Sequence, residues 1–182
     1  MTNKTILYIS MSKDGFIAQE NDNLDFLNDF NNFQLGGEDY GYSDFIDSVE
    51  SIVVGKKTYE KVLSMNYPYH EDKKVYVITR SLKQSKKKNL EFYNGDIKAL
   101  IEQLKNSTQK NIYCDGGAEL AQSMLNNNLI DQIILSVIPL NLKKGVLLFE
   151  RGSVPNSFEL NNSKEFSNDL IRYTYDNKNL NP

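Results

Sequence analysis

The sequence predicts an α/β fold built on a mainly parallel sheet, and three observations carry that prediction. Near-continuous apolar runs rich in Val, Ile and Tyr recur along the chain, as strands buried on both faces require. Helix-like amphipathic stretches alternate with them, which is the order of strand–helix–strand units. After Pro139 the helical signals stop and turn residues take over, so antiparallel pairing is expected among the last strands.

The strands are expected at residues 5–10 (TILYIS), 51–54 (SIVV), 75–79 (VYVIT), 112–114 and 132–138 (QIILSVI). The clearest helix is residues 96–107, DIKALIEQLKNS. Its Ile97, Leu100, Ile101 and Leu104 fall on one face, and Asp96 suits the N-cap. Residues 57–65 and 118–127 are the other crossover helices. Residues 146–149, 158–164 and 170–175 read as strands joined by loops, all antiparallel at the C-terminal end. Neither a repeat nor a linker interrupts the chain, so residues 1–182 are expected to form one domain with helices on both faces of its sheet.

Composition narrows the function. Of 182 residues, 40% are hydrophobic and 25% charged, as in ordinary globular domains. A net charge of -3 argues against nucleic acid as a partner, and the run Lys86-Lys87-Lys88 reads as a solvated loop. The apolar run before Ser10 is too short for a signal peptide or a membrane span. With one cysteine there is no internal disulfide, and a cytoplasmic location is expected.

Missing residues exclude further chemistry. There is one histidine, His70, placed by YPYHEDK in a surface loop, and one cysteine, Cys114, in an apolar strand where a buried, inert thiol is expected. A zinc deaminase signature cannot be assembled, and no metal site is expected. Neither a P-loop nor a G-x-G-x-x-G fingerprint is present.

Three strand-to-helix junctions remain, and each invites an anion. In IVVGKKTYEKV a strand ends at Gly55, and Lys56, Lys57 and Thr58 open a helix. First-turn amides, a hydroxyl and two cations suit a phosphate, although a tight turn with a polar helix start would use the same residues. In VYVITRSLKQS the strand runs into Thr79, Arg80 and Ser81, a set that fits a phosphate monoester as well as an exposed strand end. In CDGGAELAQSML, Gly116 and Gly117 expose backbone amides where a helix begins, or else supply a turn with positive φ. All three lie at carboxyl ends of strands, where open α/β sheets bind ligands. Together they fit a phosphorylated dinucleotide. A 2′-phosphate at Arg80 favours NADPH over NADH.

In chain order, SKDGFIA, VVGKKTYE, VITRS, CDGGAEL and DQIILSVIPLNLKKGVLLF resemble the dihydrofolate reductase-like superfamily. The likeness is closer to the C-terminal reductase domain of the bifunctional riboflavin-biosynthesis deaminase–reductase, here standing alone over roughly residues 5 to 175. The resemblance implies an eight-stranded, mainly parallel sheet with NADPH across it. It implies that Gly55, Lys56, Lys57 and Thr58 meet the cofactor phosphates, that Thr79, Arg80 and Ser81 meet the 2′-phosphate, and that Gly116, Gly117, Ala118 and Glu119 meet the pyrophosphate. The stretch Asp14 to Ala18, with Ile17, resembles the loop that passes near the nicotinamide. Homodimers are common in the family, so a homodimer is expected.

The same resemblance locates departures. Folate reductases carry a pterin-binding carboxylate in the stretch that here reads GGEDYGYSDFIDSVE, with Glu38, Asp39 and Asp44 as candidates. Asp115 stands where the riboflavin branch often has Glu, which supports that branch, while Lys143 and Lys144 stand where it usually has glycines.

The expected function is an NADPH-dependent reductase that delivers hydride to a C=N or C=O of a small heterocycle, similar to 5-amino-6-(5-phosphoribosylamino)uracil reductase. Dihydrofolate reductase-type activity and a non-catalytic NADPH-binding module are the alternatives. Asp14, Asp25 and Asp115 are the candidate proton donors. Tyr40, Tyr42 and Phe26 are candidates to stack on the substrate or to pack internally.

Overall fold

The computed structural model describes residues 3–27, 39–65, 69–81, 83–149 and 152–179. Of the folate-carboxylate stretch, Glu38 lies outside the described residues, while Asp39 and Asp44 lie within them.

The main sheet has eight strands. In chain order these are β1 (Thr5–Ser12), β3 (Val49–Gly55), β4 (Lys74–Ile78), β5 (Leu90–Tyr93), β6 (Asn111–Gly116), β7 (Gln132–Ile138), β9 (Phe158–Glu165) and β10 (Ile171–Asn177). Their spatial order is β5-β4-β3-β6-β1-β7-β10-β9. Pairing is parallel from β5 through to β7. It becomes antiparallel at β7–β10 and β10–β9.

The apolar runs form strands because both of their faces are covered. Side chains alternate across a strand. Leu7, Val53 and Cys114 pack on one face, where α3 (Ile97–Ser107) contributes Leu100, Ile101 and Leu104 and α4 (Ala118–Asn126) contributes Leu120, Ala121 and Met124. Ile6, Tyr8, Ile52, Val54 and Tyr113 pack on the other face, with Phe45 of α1 (Tyr42–Asp47) and Tyr59 of α2 (Lys56–Ser64). Fully burying each such large apolar side chain contributes about 1.5–3 kcal/mol. The N-cap of α3 is Asp96, whose carboxylate accepts from the Lys98 amide at 3.0 Å.

One strand is placed differently from the sequence expectation. Residues 146–149 yield only β8 (Val146–Leu147), and it does not join the main sheet. It pairs antiparallel with β2 (Phe16–Ala18) in a separate ribbon. The cause is the β1–β2 turn, which brings residues 16–18 back beside residues 146–148; the Leu148 amide donates to the Gly15 carbonyl at 3.0 Å. A third cluster, Phe26, Ile138, Phe166 and Leu170, closes the far end of β7.

The order β4-β3-β6-β1 has a functional consequence. It sets the carboxyl ends of these four strands side by side, so the junctions at Gly55, Thr79 and Gly116 share one edge.

Candidate active site

That edge opens into a cavity of about 680 Å³, within the usual range for small-molecule sites. Its walls come from β1 (Tyr8, Ile9, Ser10), β2 (Ile17, Ala18), α2 (Lys57, Thr58, Lys61) and the β6–α4 turn (Asp115, Gly117, Ala118). Tyr42 and Tyr113 complete one side.

Two helices start here, side by side. The N-cap of α2 is Gly55 and that of α4 is Gly117, and neither start has a side-chain cap. The first-turn amides of both are therefore offered to a ligand. The Gly117 amide itself donates to Thr58 Oγ1 at 2.8 Å, which locks the two starts together. Gly116 has φ +85°, a left-handed conformation in which a side chain is strained. A Cβ on Gly117 would lie 3.0 Å from Thr58 Oγ1, so the glycine pair also lets the turn close against α2. The Gly116–Gly117 peptide is cis. Lys57 Nζ sits 3.9 Å from Glu119 Oε1 in an exposed pair at the rim. Two adjacent uncapped helix starts with a cation beside them fit the two phosphates of a dinucleotide.

Thr79, Arg80 and Ser81 stand at the end of β4, next to β3, but outside the cavity lining. Thr79 is buried and its Oγ1 accepts from the Ser81 amide at 3.2 Å, while Arg80 and Ser81 are exposed. Gly55, Lys56, Gly116 and Glu119 likewise flank the cavity rather than line it.

Of the three aspartates, the structure brings Asp115 into the cavity and holds the others elsewhere. The Asp14 carboxylate accepts from Ser12 Oγ at 2.6 Å and from the amides of Leu142 and Lys143 at 3.1 and 2.7 Å. Burial opposes ionisation there, but these donors hold its pKa below the ordinary value. Asp14 thus clamps the β1–β2 turn to the loop of residues 141–145. Asp25 is exposed, bonded to Asn23, and outside the described lining.

Asp115 is recessed at the cavity floor. Its carboxylate accepts from the hydroxyls of Tyr113, at 2.5 Å, and of Tyr69. Burial raises its pKa above the ordinary carboxylate value, against the lowering effects of Tyr113, Tyr69 and His70. Burial and the nearby carboxylate push both phenols up, so they remain protonated donors. Cys114, one residue earlier, points into the opposite face, and burial pushes its thiol up to about 12.

Sequence reasoning missed Tyr69, Tyr113 and the orientation of His70. His70 does lie in the expected turn, but its ring is half-buried and Nε2 is 3.0 Å from the Tyr42 hydroxyl. Its ring also stands edge-on to Tyr69, with centroids 5.1 Å apart. Burial lowers its pKa, while Asp115 and Asp72 act in the opposite sense. The signal available was the density of aromatics in YPYH beside a loop proline. Of the candidate stacking residues, Tyr42 lines the cavity. Phe26 is buried in the third cluster, against which Tyr40 packs.

Among the described residues no group of three His, Cys, Asp or Glu side chains is arranged to hold a metal, and no helix is long and apolar enough to cross a membrane.

The comparisons with known proteins bear on the family and the fold. A profile of the RibD C-terminal domain matches residues 43–172. The uncharacterized protein YwjB of Bacillus subtilis (strain 168) is 38% identical over 168 residues, covering 91% of this chain and 94% of its own. A second uncharacterized protein of that organism, YyaP, is 26% identical over 185 residues, covering 94% of each chain. The crystal structure of the "Putative riboflavin biosynthesis protein" from Shewanella sp. PV-4 superposes with a TM-score of 0.84 at 26% identity, over 96% of this chain and 99% of that one.

Proposed function

The chain belongs to the RibD C-terminal domain family, a family of reductase domains, and on that premise we propose that it is an NADPH-dependent reductase acting on a C=N or C=O of a small heterocycle. Bound NADPH would supply the hydride. The uncapped starts of α2 and α4, with Lys57 and Thr58, would hold the pyrophosphate. Arg80, with Thr79 and Ser81, would hold the 2′-phosphate where the rim of the cavity meets β4.

One observation carries the reading. Asp115, whose burial favours the neutral acid, sits one residue before the Gly116–Gly117 turn and in the same cavity as Thr58 and Gly117. A carboxyl whose pKa is raised by burial is suited to general acid catalysis. Hydride added to the substrate carbon would leave the electron pair on nitrogen or oxygen, and Asp115 would supply the proton to that atom. The carboxylate left behind keeps two phenol donors, Tyr69 and Tyr113, which stabilise its charge. Tyr42 would pack against the planar ring, and Ile17 and Ala18 would exclude water on the β2 side.

The chemistry of the site supports a heterocycle with an adjacent hydrogen-bonding edge, as in the pyrimidine reduced during riboflavin synthesis. Fluorescence titration with NADPH and NADH tests the cofactor assignment. Binding of NADPH at roughly tens of micromolar or tighter, and weaker binding of NADH, is the expected result. No binding of either removes the proposal. NADPH oxidation is then followed with ribosylaminopyrimidines, dihydrofolate and small carbonyls. Turnover of dihydrofolate alone would move the assignment to a folate reductase, and binding without any turnover would make the chain a cofactor-binding module. A homodimer and a cytoplasmic location belong to the same proposal.

A further inference from the structure

The proposed reaction leaves one task without an owner. Asp115 loses a proton in each turnover, and with substrate and cofactor in the cavity its remaining neighbours are Tyr69 and Tyr113. Neither phenol is a proton source, since burial holds both hydroxyls protonated. The group nearby whose ordinary pKa lies near neutrality is His70.

The geometry links His70 to this acid from two sides. Tyr42 lines the cavity and its hydroxyl meets His70 Nε2 at 3.0 Å. Tyr69, which donates to Asp115, stands edge-on to the imidazole. The ring is half-buried, so one side reaches solvent at the turn of residues 69–73. Its charged surroundings are Asp115 on β6 and, within its own turn, Asp72 and Lys73, which pair at 3.2 Å. Asp115 and Asp72 favour the imidazolium, whereas burial and Lys73 disfavour it. In return, His70 favours the Asp115 carboxylate. Each residue's protonation therefore opposes or assists the other's, which is the condition for a pair that titrates as a unit.

We infer that His70 is the acid–base partner of Asp115, with Tyr42 bonded to the imidazole and Tyr69 and Tyr113 bonded to the carboxylate, and that this cluster exchanges protons with solvent through the imidazole. Imidazolium would donate to the Tyr42 oxygen, the Tyr42 hydroxyl proton would pass on to the Asp115 carboxylate, and the neutral acid and the phenol would both be restored. Neutral His70 would be recharged from water, so one proton is taken up for each one delivered to substrate. The inference rests on Asp115 being the acid for its kinetic part alone.

A single histidine makes the test direct, because the imidazole C–H signals in the whole protein belong to His70. The wild type, Asp115→Asn, Tyr42→Phe and Asp72→Asn are titrated by NMR. The expected wild-type curve has two inflections. Asp115→Asn leaves one and moves it to lower pH, because the carboxylate that favoured the imidazolium is gone. Tyr42→Phe alters the imidazole tautomer signature and weakens the second inflection, with little risk to folding. Asp72→Asn shifts the midpoint but keeps both inflections. A single wild-type inflection, unmoved by Asp115→Asn and Tyr42→Phe, overturns the inference and leaves the Tyr42–His70 bond a structural brace. Where the protein turns over NADPH, His70→Gln should lower kcat by roughly a hundredfold, the low end of general acid–base effects. KM and NADPH affinity should stay unchanged, and added imidazole should restore the rate. An unchanged kcat also overturns the inference. Absence of turnover with every substrate removes the reductase reading, while the NMR curves still decide the coupling.

Discussion

The Gly117 amide donates to Thr58 Oγ1 at 2.8 Å, so the first turn of α2 and the glycine turn before α4 are one unit. Neither helix start has a side-chain cap of its own, and this bond is what aligns them. Thr58→Val keeps the shape and removes the acceptor. It should cost about 1–2 kcal/mol, as for other partly buried amides left without a partner. Thr58→Ser should restore most of it. Urea midpoints of the three proteins measure this, and a loss for Ser with none for Val would mean that the methyl group, not the oxygen, matters.

Arg80 stands at the end of β4, exposed and outside the cavity lining. Its proposed role therefore reduces to one contact, the 2′-phosphate. Arg80→Ala should weaken NADPH by about 1–3 kcal/mol, the range for a charge-assisted bond. NADH should be almost unaffected. Calorimetric titration with both cofactors separates the cases, and equal losses for the two would exclude a 2′-phosphate contact.

The parallel part of the sheet was readable because burial on both faces writes itself as unbroken apolar runs. Gln132–Ile138 begins and ends where periodicity put it. What escaped was short or exposed. Strand β5 is the four residues LEFY with Glu91 exposed, and β2 is three residues long. Helix α1 starts after Gly41 at φ +78°, and its first-turn Ser43 amide is capped by the Asp39 carboxylate at 2.9 Å from two residues before Gly41, off the usual N-cap position. For the site, the glycine pair and Asp115 were visible as neighbours in sequence. Tyr69 and His70 were not, because they reach Asp115 by folding back over forty-odd residues, as the 46-residue separation of the Tyr69–Asp115 bond records. No local pattern encodes such a return.

Gly145 has a structural duty that its sequence context disguises. Its φ is +147°, and a Cβ there would lie 2.0 Å from the Ala18 carbonyl oxygen. It is the point where the 141–145 loop crosses β2 before β8 pairs with it. Gly145→Ala should therefore cost about 1–3 kcal/mol or more through backbone displacement. It should also disturb the cavity, since Ile17, Ala18 and Val146 line it. Gly152 is the control: φ is +69° but nothing lies within 4 Å of its would-be Cβ. Gly152→Ala should cost about 1 kcal/mol, from the left-handed backbone alone. Thermal unfolding of both variants tests the contrast, and similar losses would show that only the torsion matters at Gly145.

The buried acid predicts the sign of a pH effect on stability. Burial raises the Asp115 pKa in the folded protein, whereas the unfolded value is about 3.9. Between the two, the folded state holds a proton that the unfolded state has lost. The contribution is therefore fully present below the unfolded value and lost as pH rises through the folded one. His70 acts in the opposite sense. Its folded pKa is lowered, so the unfolded state binds the extra proton and stability grows as pH rises through that window. Asp115→Asn removes the charge that favoured the imidazolium and so lowers the folded His70 pKa further, which adds to the variant's gain with rising pH rather than opposing it. Asp115→Asn should thus gain on the wild type as pH rises from about 4 through the folded Asp115 pKa, because Asn keeps a carbonyl acceptor for one phenol and never has to ionise. Urea unfolding of both proteins at intervals across this range measures the difference. A flat difference would mean that Asp115 titrates at its unfolded value, and it would remove the basis for treating it as the acid of the site.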